Sequence, residues 1–440
     1  MTDFPAPEDA SPSPDHLEAT PPAGETPGAP APRKVYESNL LPDRRRRLVS
    51  PWVLFPLLLI GFGAACYFFL YAPQKQRHIP TAGQIVFASD RNTPGVSHLW
   101  ALTLGGAARA LTSGPSPDTS PVYSPDGDQI AFLSPRQLGK SQVFVMDADG
   151  QNPSPATRMS GTKDIPSFAP SDNQLIAYTA GGILYRLDLS TKAVEQLVPM
   201  DADASHHHSG SEGDSQETPS STLPTTVPNY AWRPGLKREE QGLAAVQDKD
   251  GLQTLAVLPN PDADLIANLD GNPNVPLIAA DSMSIGWSPT GGLLAVAAIG
   301  VKGVPGGKPF SGIILFDSQG KAAQSTPPVR LASATGGPEN PVFTPDGAEI
   351  VFELWDQPDV ASRKCVGLFA AAVDASAQPR LIVKGNAEHI MISHDSKTVY
   401  YLTARAGGKH DLCSIGLDGT GFQRLSDGVE DVTRFSLSPQ

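Results

Sequence analysis

Ser120 to Phe132 reads SPVYSPDGDQIAF, and Gln142 to Gly150 reads QVFVMDADG; together they alternate apolar and turn-forming residues as short antiparallel strands do. Tyr123 leads into Ser124-Pro125-Asp126-Gly127, where proline presets φ, aspartate favours the turn and glycine accepts positive φ. Ile130 and Phe132 carry the period of two into a second strand. Phe144 marks a third strand, and Asp149-Gly150 turns the chain into a fourth.

The same unit recurs at spacings of roughly 40 to 60 residues, a period that points to propellers or solenoids. Clear copies are IPSFAPSDNQLIAY (Ile165–Tyr178) and NPVFTPDGAEIVF (Asn340–Phe352), with Tyr185 and Phe369 on the third strands. Divergent copies begin PNYAWRPG at Pro228, IGWSPTGGLLAVAA at Ile285 and IMISHDSKTVYYL at Ile390. A single four-stranded sheet cannot bury both faces, whereas blades packed around an axis can. The chain stops at Leu437-Ser438-Pro439-Gln440, inside the first turn of a new unit, while Gly83–Phe87 (GQIVF) matches Gly127–Phe132 (GDQIAF). The two half-units complement each other, so one blade is expected from both ends, removing open strand edges. With units near Ser120, Asp164, Asn229, Met283, Asn340 and His389, the fold is an all-β propeller of about seven blades, or six if the Asn229 unit is incomplete.

The phrases SPDGDQIAF, VFVMDADG and TPDGAEIVF resemble the repeat of TolB-like propellers, which also occurs in prolyl-oligopeptidase-type and tricorn-type peptidases. The resemblance covers nearly everything after Ala82 and implies fold more than function, because the shared residues are turn and core residues. The N-terminal α/β domain of soluble TolB has no counterpart here.

Ahead of the repeats, residues 1–47 are rich in Pro, Ala, Glu and Asp and end in Arg44, Arg45, Arg46 and Arg47, as expected of a disordered tail. Residues 48–72 include WVLFPLLLIGFGAACYFFLY (Trp52–Tyr71), an uncharged run of the ~20 residues a helix needs to cross a bilayer. The arginines before it, against Lys75 and Arg77 after it, place the tail in the cytoplasm and the propeller outside, at a bacterial inner membrane facing the periplasm. The charged run begins too far from Met1 for a cleaved signal peptide, so the segment reads as an uncleaved signal anchor. Gly63-Ala64-Ala65-Cys66 resembles a lipoprotein box only faintly. Residues 73–82 form a linker, and residues 83–440 the propeller, with an acidic, Ser-rich insertion at about 201–226.

The formal net charge of −13 opposes a nucleic-acid surface, since phosphate binding needs clustered Lys and Arg. No Gly-x-Ser-x-Gly elbow or His-Glu-x-x-His helix occurs, and Gly303–Pro309 lacks phosphate-loop spacing. His206, His207 and His208 lie in the insertion, without neighbours to fix them as ligands. Cys365 and Cys413 read as separate thiols or a pair, depending on strand register. The aromatics Tyr123, Phe168, Trp232, Trp287 and Phe343 read as wedges between blades.

A recurring acid stands just before the first strands: Asp118, Asp164, Asp281, Glu339, Glu388 and Asp431. First strands surround the axis, so these residues either satisfy backbone N–H groups in their own turns or form a ring attracting a cation, calcium included, or a basic peptide. The expected function is non-enzymatic: a membrane-anchored binding or scaffold protein for a protein, peptide or cell-wall partner, with no required cofactor. The alternatives are a metal-assisted lyase or hydrolase site in the channel, or an accessory subunit of a peptidase complex.

Overall fold

The computed structural model describes residues 83–137, 139–158, 161–198, 226–235, 242–249, 252–258, 279–301, 310–318, 322–323, 327–331, 336–356 and 364–439. The expected tail (1–47), membrane segment (48–72) and linker (73–82) lie outside them. So do Cys66, nearly all of the 201–226 insertion with its three histidines, and the loop 303–309. Among the described residues no helix is long and apolar enough to cross a membrane.

The described strands form seven four-stranded antiparallel sheets. In blade 1 the C-terminal strand Val432–Leu437 pairs with Gln84–Ser89, followed by His98–Thr103 and Ala108–Ala110. The first and last described strands therefore share one blade. The inner strands of blades 2 to 7 are Thr119–Tyr123, Lys163–Ala169, Thr226–Trp232, Ser282–Trp287, Gly336–Phe343 and Glu388–Ile392, close to the starts read from the repeats. The Asn229 unit is a complete blade, which makes the number seven.

Burial explains why the ring must close. Seven apolar clusters each join two consecutive blades, and the period-two alternation sends neighbours on one strand to opposite interfaces. Ile130 and Phe132 pack toward blade 1, whereas Ala131 and Leu133 pack toward blade 3. The last cluster joins Tyr400, Leu402 and Leu412 of blade 7 to Ile85, Phe87, Val432 and Phe435 of blade 1.

The Ser-Pro-Asp-Gly turn is a small hydrogen-bonded device. Ser124 Oγ accepts the Gln129 N–H at 2.9 Å and donates to Asp126 Oδ1 at 2.7 Å, while Gly127 takes φ of 74°. Thr344 with Asp346 and Ser393 with Asp395 repeat the arrangement. Hydroxyl and backbone donors hold the carboxyls of Asp346 and Asp395 below the usual range. Turn residues thus account for the repeat motif without any ligand.

Cys365 and Cys413 are free, buried thiols on the third strands of blades 6 and 7, and burial pushes both up to about 11.

Candidate functional site: the axial passage

The inner strands are tied to one another around the axis. Tyr123 N–H donates to Ser436 Oγ at 3.3 Å, joining blades 2 and 1, and His389 Nε2 bonds the Phe435 carbonyl at 3.0 Å, joining blades 7 and 1. Asn340 N–H donates to Ser284 Oγ at 2.7 Å. The wedge aromatics add to this: Trp232 and Trp287 donate their indole N–H to the carbonyls of Ser167 and Ala231, each on the preceding inner strand. Blades 5 and 6 approach so closely that a Cβ on Gly286 would lie 2.1 Å from the Pro341 carbonyl oxygen.

Register irregularities interrupt the inner strands of blades 1, 2, 3, 4, 6 and 7. In blades 2, 6 and 7 the extra residue sits at positive φ: Ser120 at 51°, Asn340 at 50° and His389 at 57°. Such bulges re-aim side chains at a strand's edge, here the edge around the axis.

The six acids fall into different environments. Asp118 is 0% exposed and accepts Arg136 Nη2 on both oxygens at 2.6 Å. Asp431 accepts the His410 backbone N–H at 2.7 Å, with His410 Nδ1 at 3.3 Å. Asp164 and Asp281 are exposed, and Glu339 and Glu388 half-buried. Glu339 stands opposite Glu353, and Glu388 opposite Leu402, on their neighbouring strands. Among the described residues no three His, Cys, Asp or Glu side chains group as a metal site.

Asp118→Asn leaves the Arg136 guanidinium without its carboxylate. The expected cost is about 2–3 kcal/mol, below the ~3–5 of a fully buried pair because Arg136 reaches solvent. Urea unfolding of wild type and variant measures it.

Sequence reading missed a second group on the same strands. Glu353, 1% exposed on the second strand of blade 6, accepts the Trp355 indole N–H at 3.0 Å and the His389 backbone N–H at 3.1 Å. Desolvation and then, more weakly, the neighbouring Glu339 raise its carboxyl to about 7, against the hydrogen bonds from Asn340, Trp355 and His389. Desolvation and the Arg434 charge lower the His389 imidazole to about 4. Its ring packs edge-on against Phe435, with centroids 4.9 Å apart. Arg434, on the inner strand of blade 1, reaches solvent, but surrounding protein holds it below its usual basicity, and no carboxylate among the described residues pairs with it. The signal was in the repeats: His389 and Arg434 stand where other copies have Ser120 and Asn340, and Glu353 where they have Ala88 and Leu133.

At the turn end of the inner strands lies a cavity of about 540 Å³, lined from blades 1, 2, 3 and 7 by Leu437, Ser436, Val122, Phe168, Met391 and Ile392 among others. The described residues thus form a closed, latched seven-bladed propeller with ionisable groups along its inner strands.

No family model matches the chain. Among solved structures it is similar to TolB from Acinetobacter baumannii, at 16% identity over 86% of this chain and 71% of that one, with a TM-score of 0.45. An oligogalacturonate lyase in complex with manganese matches at 12% identity over 79% and 86%, with a TM-score of 0.48. A putative TolB from Agrobacterium tumefaciens matches at 13% over 81% and 98%, with a TM-score of 0.39. Likenesses this distant leave ligand and chemistry to the chain's own residues.

Proposed function

We propose that this chain is a membrane-anchored, extracytoplasmic binding protein that engages a protein, peptide or cell-wall partner at the mouth of its axial passage. One observation carries the reading: the repeat's motif residues are consumed by turns and blade interfaces, whereas the inner-strand ends carry acids outside that motif, with Asp164 and Asp281 exposed. Of the six acids, Asp164 and Asp281 are exposed and Glu339 and Glu388 half-buried, and the net charge of −13 favours a basic partner or a cation such as calcium. The tail and the apolar 48–72 segment would hold the propeller at the bacterial inner membrane, facing the periplasm.

An enzyme reading has in its favour that Glu353 and His389 are displaced in opposite directions, as acid–base pairs are. Glu353 is 1% exposed with both oxygens engaged by the protein, so binding is the better reading.

Capture of partners from solubilised host membranes tests this, using wild type and an Asp164→Asn, Glu388→Gln double variant. The wild type should retain a partner that the variant loses at unchanged melting temperature. Equal capture by both would remove the mouth from the proposal.

A further inference from the structure

We propose that the axial cavity takes an apolar molecule bearing a single carboxylate, which Arg434 and His389 receive at the cavity's inner end. The inference rests on reading the passage as the binding place and names the ligand class. The cavity of about 540 Å³ lies in the size range of small-molecule sites and is walled largely by apolar side chains, Val122, Phe168, Met391, Ile392 and Leu437 among them. Two residues along the same inner strands, roughly 7 Å at strand rise, stand His389 before Met391 and Arg434 before Ser436. The Phe435 carbonyl that bonds His389 belongs to the residue between Arg434 and the cavity wall.

Arg434 is exposed, desolvation by the neighbouring protein lowers its basicity, and it has no carboxylate partner among the described residues. A planar carboxylate is the group its donor fork fits. The Phe435 carbonyl can only accept, so the neutral His389 ring carries its proton on Nε2, and Nδ1 becomes a second donor on protonation. The groups around His389 are Arg434 of blade 1, Glu388 on its own strand, and Glu353, with Glu339 beside it, in blade 6; His394 lines the cavity farther along. These acids disfavour a second negative charge, so a monoanion is preferred to phosphate. A bound carboxylate offsets the Arg434 charge and raises the His389 pKa, so binding takes up protons and tightens as pH falls below the ordinary histidine range.

The test is calorimetric titration of the full chain in detergent with N-acetyl-phenylalanine, its amide, octanoate and inorganic phosphate. Both carboxylates should bind at least about ten-fold more tightly than the amide or phosphate; the tighter of the two tells a peptide-terminus source from an alkyl acid. Arg434→Gln should lose the preference for acid over amide, and Arg434→Lys should keep part of it, each at wild-type melting temperature. The His389 ring resonance, assigned by its loss in His389→Gln, should titrate at higher pH in the saturated protein. Equal binding of acid and amide, an unaffected Arg434→Gln, or no binding of either acid overturns the proposal. If partner capture still depends on Asp164 and Glu388 in that case, only the ligand class fails; if that dependence is also lost, the binding reading fails with it.

Discussion

Deleting residues 431–440 is expected to lower the melting midpoint of the propeller by more than roughly 6 °C. The segment carries Val432 and Phe435, 0% and 2% exposed, into the cluster between blades 7 and 1. It also supplies the ladder to Gln84–Ser89 and the bond from Ser438 N–H to the Gln84 carbonyl at 2.8 Å. Side chains extend the latch beyond the strand: Asp431 N–H donates to Asp90 Oδ1 at 2.7 Å, and Arg91 reaches Glu430, just ahead of the deletion, at 2.8 Å. Truncating one buried Phe typically costs about 3–5 kcal/mol, and the deletion also bares the edge of the Gln84–Ser89 strand and the apolar flank of blade 7. The total exceeds about 5 kcal/mol, which for a domain of this size lowers the melting midpoint by more than roughly 6 °C. A chain lacking only Gln440 is the control. Melting of the truncated protein within a degree or two of that control would show that the ring is not latched by its C-terminus.

The second large effect is in the pH dependence of stability, where Glu353 and His389 oppose each other. Glu353 titrates at about 7 in the fold against 4.5 ordinarily, so between these values the unfolded chain has lost a proton that the native one keeps. Stability falls as pH rises through that window. His389 titrates at about 4 against 6.5, so the unfolded chain holds the extra proton between them and stability rises with pH. Each displacement corresponds to about 3 kcal/mol, as an order of magnitude. The windows overlap and the two effects largely cancel in the wild type. Glu353→Gln should uncover a rise in stability from about pH 4 to 6.5, and His389→Gln a fall from about pH 4.5 to 7. Urea unfolding at half-unit pH steps reads both slopes; parallel profiles for wild type and both variants would contradict the opposed titrations.

Much of the fold was legible because the repeat states its own construction. Ser124-Pro125-Asp126-Gly127 and Thr344-Pro345-Asp346-Gly347 encode the turns locally, in hydroxyl, carboxylate and positive φ. The alternation after each turn encodes the two interfaces, and the complementary half-units at Gln84–Ser89 and Val432–Leu437 encode the latch. The acids were harder, because proximity to an inner strand does not determine a side chain's partner. Asp118 is engaged by Arg136, which comes from the loop after the next strand. Glu430, the neighbour of the singled-out Asp431, is the one held by Arg91 across the closure. His389 and Arg434 come together only because blades 7 and 1 meet at the axis, the 44 residues between them in sequence mostly forming the rest of blade 7. A residue-by-residue comparison of the copies exposes both as departures from Ser120 and Asn340, which is the sequence signal that was available.

Site-specific photo-crosslinking in intact host cells tests the claim that the axis is the binding place most directly. One photoreactive residue replaces Thr433, exposed on the inner strand of blade 1, and another replaces Val194, 36% exposed on the outer strand of blade 3. A defined adduct from position 433, reduced by the Asp164→Asn, Glu388→Gln double variant and absent from position 194, is the predicted result. An adduct from position 194 alone would place the partner on the rim and contradict an axial site.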